Sequence, residues 1–175
     1  MGHTGAIYDS PAAVGSADSD DDFAAMFASH FPRVVRALEL GGLDHASAED
    51  VAEEAFARTL GHWRRVRKGS NPPGYVFMTA FRLSRRVLAR QARTGPLPAG
   101  GRSASDPAAE AGSRLDLERA LAAMPARRRA CAVCCFVVGM SPKEAASALG
   151  IAEGTVRKQL ASARDSLREA LAAQG

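Results

Sequence analysis

The stretch Met140–Leu171, MSPKEAASALGIAEGTVRKQLASARDSLREAL, predicts two helices joined by a tight turn. Ser141 can cap the first helix, Pro142 fits its first turn, and Glu144 is spaced to reach back to the cap. Gly150 ends this helix, because glycine adopts a left-handed backbone at no steric cost. The longer second helix has apolar residues at helical spacing, namely Val156, Leu160, Ala163, Leu167 and Leu171. The stretch therefore predicts a helix-turn-helix.

The polar face of the second helix carries residue types that bind DNA. Arg157 and Lys158 lie in its first turns, where a recognition helix reads base edges, and Thr155 can donate a hydrogen bond to a phosphate. Further polar positions on this side are Ser162, Arg164 and Arg168. An ordinary helical hairpin with a solvated charged face fits the same pattern, because a motif match is only a hypothesis.

A long basic block lies earlier in the chain, which has 175 residues, a net charge of +4 and a pI of about 9.3. Between Glu54 and Asp106 there is no acidic residue. The cations of this interval are Arg58, Arg64, Arg65, Arg67, Lys68, Arg82, Arg85, Arg86, Arg90, Arg93 and Arg102. Such a block indicates a polyanionic partner. Because there is no apolar run of membrane-spanning length and no signal-peptide pattern, we expect a cytoplasmic protein without membrane insertion.

Cys131, Cys134 and Cys135 form a C-x-x-C-C cluster that could suggest a metal or redox site. No histidine or further cysteine lies nearby in the sequence, and the surrounding run is apolar throughout. An odd number of cysteines also argues against a disulfide framework. We therefore interpret the cluster as part of a hydrophobic core.

Composition divides the chain into two helical units and two polar segments. Residues 1–22 are small, polar and acidic, and predict a disordered arm that either shields the basic block or is simply solvated. Residues 94–112 are rich in Gly, Pro, Ala and Ser, and predict a flexible linker. Helical periodicity elsewhere predicts an all-α fold with units at residues 23–93 and 113–172.

Within the first unit, the pattern predicts helices over Phe23–Leu40, from Ser47 and over about Pro73–Arg93, with a basic loop at Arg64–Gly74. The second helix is expected to turn Phe56, Leu60 and Trp63 inward. Aromatic rings next to cations can instead stack on unpaired bases while the cations hold the backbone. Trp63 and Tyr75 flank the loop and are the better candidates for this role, whereas Phe77 and Phe81 fit a core. In the second unit, helices are predicted from Ser113 and over Ala126–Val138.

Taken together, these motifs resemble those of the bacterial extracytoplasmic-function (ECF) sigma factors, a class of RNA polymerase sigma subunit. Ala48–Phe56 is similar to the region 2 helix that docks on the polymerase clamp, and Asn71–Phe77 to the start of the −10 reading helix. The motifs between Ala120 and Arg164 match region 4 in order and spacing. The resemblance implies a promoter-specificity subunit with no catalytic residue, no metal and no cofactor.

The resemblance also implies three sets of site residues. Those that bind the polymerase clamp would be Asp50, Glu53, Glu54, Phe56 and Arg58. Those that hold the melted −10 strand would be Trp63, Arg64, Arg65, Arg67, Lys68, Asn71, Tyr75, Arg82, Arg85 and Arg86. Those that read the −35 element would be Thr155, Arg157, Lys158, Ser162 and Arg164. The implied partners are core RNA polymerase, through its clamp helices and flap, promoter DNA and an anti-sigma factor.

Two other functions remain open at this point. One is a stand-alone helix-turn-helix transcription regulator that binds duplex DNA without polymerase. The basic, aromatic first unit disfavours it, because a duplex reader needs no base-stacking helix. The other is an enzyme, which is disfavoured because the sequence shows no phosphate-binding loop, metal-ligand cluster or nucleophile–base pair.

Overall fold

The structure, a computed structural model, describes residues 14–94 and 111–172. Within these ranges the chain forms eight α-helices and one π-helical turn, with no strand. They are α1 (Val14–Gly41), α2 (His45–Gly61), α3 (Trp63–Val66), α4 (Pro72–Thr94), α5 (Ala111–Ala122), α6 (Ala126–Ala132), the π-turn (Val133–Val137), α7 (Pro142–Leu149) and α8 (Glu153–Ala172). The all-α prediction is confirmed. Residues 1–13 of the predicted arm and 95–110 of the predicted linker lie outside the described residues.

The N-terminal unit, α1–α4, is built around aromatic rings. Helices α1, α2 and α4 pack on one another. The Phe56 ring lies edge-on to that of Phe27, with ring centroids 4.9 Å apart, and Phe23 meets Trp63 in the same way at 5.3 Å. Rings arranged edge-to-face gain about 0.5–1.5 kcal/mol beyond the burial of their area. This aromatic cluster fixes α2 and α3 against α1.

Two helix starts in this unit differ from the sequence prediction. Helix α1 begins at Val14 instead of Phe23, because a helix anchored on the core extends outward at one hydrogen bond per added residue. Helix α2 is capped by Asp44 rather than Ser47: the Asp44 carboxylate accepts hydrogen bonds from the Ser47 amide at 3.0 Å and the Ser47 hydroxyl at 2.7 Å. The backbone hydrogen bond from Ser47 is the main reason why the pKa of Asp44 lies below its ordinary value.

The C-terminal unit, α5–α8, contains the predicted helix-turn-helix. The Ser141 hydroxyl accepts from the Glu144 amide at 3.2 Å, and the Glu144 carboxylate accepts from the Ser141 amide at 2.8 Å, which completes the capping box. The hydrogen bond from the Ser141 hydroxyl lowers the pKa of Glu144. Gly150 ends α7 in the left-handed conformation, with φ +64°. Ala145 and Ala163 are fully buried, and their small side chains allow α7 and α8 to cross closely.

The predicted single helix over Ala126–Val138 is interrupted by the π-turn. The Val138 amide donates to the carbonyl of Val133 at 3.0 Å, a hydrogen bond that spans five residues instead of four. The wider turn leaves Phe136 and Val137 41% and 42% exposed. Nothing in the composition of the segment indicates a π-helix over an α-helix.

The cysteine cluster lies where α6 meets the π-turn. Cys131 and Cys134 are fully buried and Cys135 is partly buried, so the core interpretation is confirmed for the first two. Burial raises the pKa of Cys131 to about 11 and also raises that of Cys134. Residues 14–94 and 111–172 contain no group of three or more His, Cys, Asp or Glu side chains placed to hold a metal ion.

The two units pack against each other. Helix α4 contacts α7, and α1 contacts α6 and the π-turn. The buried side chains of both units form one continuous hydrophobic cluster. In the part of the chain that the structure describes, every helix is too short or too polar to cross a membrane.

Candidate nucleic-acid and polymerase surfaces

A short helix presents the basic loop of the N-terminal unit. Trp63 and Val66 are buried and anchor α3, which forms where the sequence predicted only a loop. Since these two residues point inward, the cations around them point to solvent. The exposed cations of this stretch are Arg64, Arg65, Arg67 and Lys68. They form the basic ridge, a group of cations suited to a phosphate backbone, in which Arg67 is paired with Asp22 of α1 at 3.5 Å.

The prediction that Trp63 offers an exposed stacking ring is wrong. Trp63 is only 6% exposed, and its ring packs against Phe23 in the core. Burying the large apolar area of an indole ring stabilises the fold, and an exposed ring would lose that free energy. Tyr75, the other candidate, is 39% exposed at the start of α4 and is available for stacking.

Asn71 has a structural role at the beginning of α4. Its side-chain oxygen accepts a hydrogen bond from the Gly74 amide at 2.9 Å. This satisfies one of the free N–H groups of the first turn, as an N-cap does. Asn71 therefore sets where α4 starts and how Tyr75 is presented.

Helix α4 carries the second set of predicted DNA contacts. Arg82, Arg85 and Arg86 are exposed on α4, on the side that faces the C-terminal unit. The Arg82 guanidinium donates to the Ser147 hydroxyl of α7 at 2.7 Å. The Arg85 guanidinium lies against Gly150, so closely that the Cβ of any other residue at position 150 would overlap it. The structure thus brings these arginines together with the helix-turn-helix, which the sequence did not predict.

An acidic face on α2 holds the predicted polymerase contacts. Asp50, Glu53 and Glu54 are exposed, and Glu54 accepts a hydrogen bond from Arg58 at 2.6 Å. Phe56 is only 2% exposed, so its ring offers no surface to a partner in this structure, and its polymerase contact stays a prediction. As the largest apolar side chain of α2, Phe56 is buried in the aromatic cluster.

Leu60 is a surface residue that sequence reasoning placed inside. It is 50% exposed, whereas the neighbouring Thr59 is fully buried and donates its hydroxyl to the Ala55 carbonyl at 2.7 Å. Thr59 satisfies its own polar group along the helix and can take the inward position. The four-residue spacing from Phe56 predicted the opposite, and no sequence signal separates the two outcomes.

The recognition helix, α8, exposes its two predicted base readers. Arg157 and Lys158 face solvent in the first two turns. The Arg157 guanidinium donates to Glu153 with its Nε at 3.1 Å and an Nη at 2.6 Å. An exposed ion pair of this kind contributes only about 0.2–1 kcal/mol, so Arg157 can leave it at little cost.

The other predicted contacts on α8 differ in exposure. Thr155 and Ser162 are half-buried, and Arg164 is exposed. Arg164 lies over the ring of Phe136, with its guanidinium carbon 5.4 Å from the ring centroid. This cation–π contact fixes Arg164 near the π-turn. Arg157 and Lys158 are therefore the residues of α8 best placed to enter a groove.

Comparison with known proteins matches both units. Residues 26–94 match the family model "Sigma-70 region 2", and residues 114–167 match "Sigma-70, region 4". The ECF RNA polymerase sigma factor SigE of Mycolicibacterium smegmatis is 32% identical in an alignment that covers 94% of this chain and 69% of that protein. The chain belongs to the ECF sigma factor family.

Two solved structures share the fold of this sigma factor. The sigma factor RpoE from Bartonella quintana, in complex with the anti-sigma factor NepR, aligns with a TM-score of 0.67 and 22% identity over 86% of this chain and 96% of that one. CnrH, in complex with the cytosolic domain of CnrY, aligns with a TM-score of 0.55 and 22% identity over 91% and 96% of the two chains.

The family membership establishes the function at a general level. This sigma factor directs promoter-specific transcription, and the stand-alone regulator is not favoured, because the N-terminal unit is itself a region 2 domain. Sigma factors act as transcription initiation factors on RNA polymerase.

Proposed function

We propose that the two units divide promoter recognition between them, the N-terminal unit holding the melted −10 strand and the C-terminal unit reading the −35 duplex. The observation that carries the proposal is that one unit exposes both the basic ridge, at α3, and the Tyr75 ring, at the start of α4. Cations that follow a backbone, next to a ring on which a base can stack, are what a single strand requires. A duplex-binding regulator has no use for that combination.

The C-terminal unit supplies the sequence-specific contacts to duplex DNA in this proposal. Arg157 and Lys158 point outward from the first turns of α8, the part of a recognition helix that enters the major groove. Arg157 is suited to a bidentate contact with guanine, which carries about 1–3 kcal/mol of discrimination. Thr155, at the start of α8, is close enough to the helix N-terminus to bind phosphate.

Polymerase docks on α2 in this proposal. The exposed carboxylates of Asp50, Glu53 and Glu54 offer a negative surface, and the half-exposed Leu60 adds an apolar contact at the end of the same helix. The helix dipole also stabilises carboxylates near a helix N-terminus, but this stabilisation fades within the first turn. Glu53 and Glu54 lie beyond the first turn of α2, so the dipole does not account for them. The protein acts in the cytoplasm beside polymerase, without catalytic activity of its own.

An anti-sigma factor is the proposed regulator, and the cleft between the units is its proposed binding site. The cleft has a volume of about 850 Å³. Its lining combines apolar side chains, including Phe81 and Leu88, with four arginines, Arg82, Arg85, Arg86 and Arg127. An acidic amphipathic helix matches this surface in charge and polarity. The solved sigma factor RpoE, which has this fold, is itself bound to the anti-sigma factor NepR.

Run-off transcription tests the proposal. Purified bacterial core polymerase is incubated with a pool of genomic promoters, with and without this protein. Discrete start sites that appear only with the protein, downstream of a shared −35 and −10 pair, are the expected result. Binding to duplex DNA without binding to core polymerase, and without transcripts, would contradict the proposal and favour the stand-alone regulator.

A further inference from the structure

Arg157 is held by an acidic residue one turn before it on the recognition helix. Its guanidinium donates two hydrogen bonds to a single carboxylate oxygen of Glu153, from Nε at 3.1 Å and from Nη2 at 2.6 Å. Glu153 is the first residue of α8, where the helix dipole favours a carboxylate. An acid four residues before a cation is also the stabilising order for such a pair on a helix. The pair is therefore supported by its place at the start of α8.

The two hydrogen bonds occupy only one edge of the Arg157 guanidinium. Arginine carries five N–H groups in a rigid plane, and these can donate in parallel pairs. Glu153 takes the edge formed by Nε and Nη2, which leaves the edge formed by Nη1 and the second N–H of Nη2. Among residues 14–94 and 111–172, no other side chain or carbonyl accepts a hydrogen bond from Arg157. Arg157 therefore keeps one parallel pair of donors for a ligand.

The remaining edge suits guanine. In the major groove guanine presents O6 and N7 as two neighbouring acceptors, and a bidentate arginine is the side chain that matches them. Arg157 is exposed in the first turns of α8, the part of a recognition helix that enters the groove. Because the two edges are separate, Arg157 can bind guanine without leaving Glu153.

An arginine without such a partner reads bases less selectively. Its long side chain must be ordered on binding, and its charge is attracted to every phosphate regardless of sequence. A carboxylate on the Nε edge orders the guanidinium beforehand and partly offsets its attraction to phosphates. Both effects favour the matching base over the backbone.

We infer that Glu153 is a specificity-determining positioning residue: it holds Arg157 so that the Nη1–Nη2 edge faces a guanine of the −35 element. The inference rests on the proposed function, in which α8 reads the −35 duplex. Glu153 itself contacts no base, and its effect passes entirely through Arg157. This role accounts for an acidic side chain at the start of a helix that approaches a polyanion.

Three substitutions in the full-length protein separate the parts of this role. Glu153→Ala removes the partner of Arg157. Glu153→Gln keeps a side-chain oxygen that can accept the same hydrogen bonds, but without the charge. Asp165→Ala is the matched control, because Asp165 also pairs with an arginine of α8, Arg168, and its loss changes the net charge by the same amount.

The measurement is competition among duplexes that each carry one altered base pair of the −35 element. The protein is assembled with core polymerase, and the salt concentration is held constant. Arg157→Ala first identifies the base pair that Arg157 reads. At that base pair we expect Glu153→Ala to lower the discrimination about two- to fivefold, the range for an exposed ion pair. Glu153→Gln should retain most of the discrimination, and Asp165→Ala should retain all of it.

The affinity for mismatched duplexes is a second readout. It should rise in both alanine variants, because each removes one negative charge. Thermal unfolding of the two variants should also agree, since each loses one exposed ion pair of α8. A loss of discrimination confined to Glu153→Ala is then an effect on base reading and not on general charge or on folding.

The double variant Glu153→Ala/Arg157→Ala shows whether Glu153 acts through Arg157. We expect its sequence profile to equal that of Arg157→Ala alone. A further loss of preference in the double variant, or a change at a different base pair in Glu153→Ala, would overturn the inference and make Glu153 a base reader. Equal losses in Glu153→Ala and Glu153→Gln would also overturn it, because charge and not the hydrogen bonds would then set the preference.

Failure of the proposed function and failure of this role give different results. If Arg157→Ala keeps the profile of the parent at every base pair, α8 does not read the −35 element through Arg157, and both fail. If Arg157→Ala loses a preference that Glu153→Ala keeps in full, the proposed function stands and only the positioning role of Glu153 is refuted.

Discussion

The two units of this sigma factor reach the same all-helical architecture with cores that differ in their aromatic content. The N-terminal core contains the buried rings of Phe56 and Trp63, against which the less buried rings of Phe23, Phe27 and Phe31 pack. The fully buried small side chains of the C-terminal core are Cys131, Ala132, Cys134, Ala145, Ala148 and Ala163. The N-terminal unit thus has a large buried ring in α2, whereas α7 crosses α8 at fully buried alanines. The first should be sensitive to lost volume and the second to added volume.

Removing the central ring of the N-terminal core should have the largest effect. Phe56→Ala leaves a cavity among the rings of Phe23, Phe27 and Phe31, which all contact Phe56. We expect the free energy of unfolding of this unit to fall by about 3–5 kcal/mol. Urea denaturation followed by circular dichroism measures the loss.

Leu60→Ala is the matched control for this substitution, because Leu60 lies one turn later on the same helix and is half exposed. It should cost no more than about 0.5 kcal/mol. Equal losses of stability in the two variants would contradict the burial of Phe56 in the aromatic cluster.

Adding volume to the C-terminal core should come next in size. Ala145→Leu forces a branched side chain into the crossing of α7 and α8, where Ala145 is fully buried. Overpacking of this kind costs about 1–3 kcal/mol. Thermal unfolding measures it, and Ala161→Leu, at an exposed position of α8, is the control that should leave the melting temperature nearly unchanged. Equal tolerance of both substitutions would show that the helices do not depend on close approach.

The two units also differ in the kind of DNA contact that each is proposed to make. Arg157→Ala should weaken binding by about 1–3 kcal/mol and relax the preference at one base pair, because a base contact is lost. Lys68→Ala should instead weaken binding by the same factor for every DNA sequence, since a phosphate contact carries no sequence information. Competition binding across a set of −35 variants distinguishes these results. A parent-like sequence profile in Arg157→Ala would show that Arg157 does not read bases.

The smallest expected effect is the loss of stability at low pH when the two helix-capping carboxylates become protonated. Asp44 caps α2 and Glu144 closes the capping box of α7, and hydrogen bonds to Ser47 and Ser141, respectively, lower the pKa values of these carboxyls. A lowered pKa gives stability that is present above the ordinary values of 3.8 and 4.5 and is lost as the pH falls through the folded-state values. Both units should therefore weaken in acid.

Asp44→Asn isolates the contribution of the N-terminal unit. Asparagine remains a good N-cap but has no charge to lose, so stability should be within about 1 kcal/mol of the parent at pH 7 and fall less steeply below pH 4. Denaturation midpoints between pH 3 and 7 measure this. An acid slope identical to that of the parent would place the acid sensitivity elsewhere.

What the sequence predicted well was carried by local signals. The capping box at Ser141 and the left-handed Gly150 each depend on a few adjacent residues, and both are confirmed. The periodicity also places Phe56 and Trp63 inward correctly but misplaces Leu60, which is 50% exposed, because its position depends on how α2 rotates against the other helices. Periodicity alone cannot fix that rotation, because large rings compete for the same interior space.

The candidate surfaces show the same limit. The exposed cations Arg65, Arg67 and Lys68 follow from composition, since isolated charges remain in solvent. The contact of Arg82 with Ser147 joins residues 65 positions apart and has no signature in the sequence. Contacts between distant segments depend on the shape of a whole surface, and no single segment determines that shape.

The π-turn after α6 changes the helical register of the C-terminal unit by one residue. Each residue of an α-helix advances the chain by about 100° and 1.5 Å, so a hydrogen bond that spans five residues holds the following segment out of register with α6. The π-turn takes up one residue more than an α-helical turn does and so absorbs that residue before the chain reaches Gly139 and α7. The direction in which the helix-turn-helix leaves α6 therefore depends on how this single extra residue is accommodated, as well as on the side chains that pack around it.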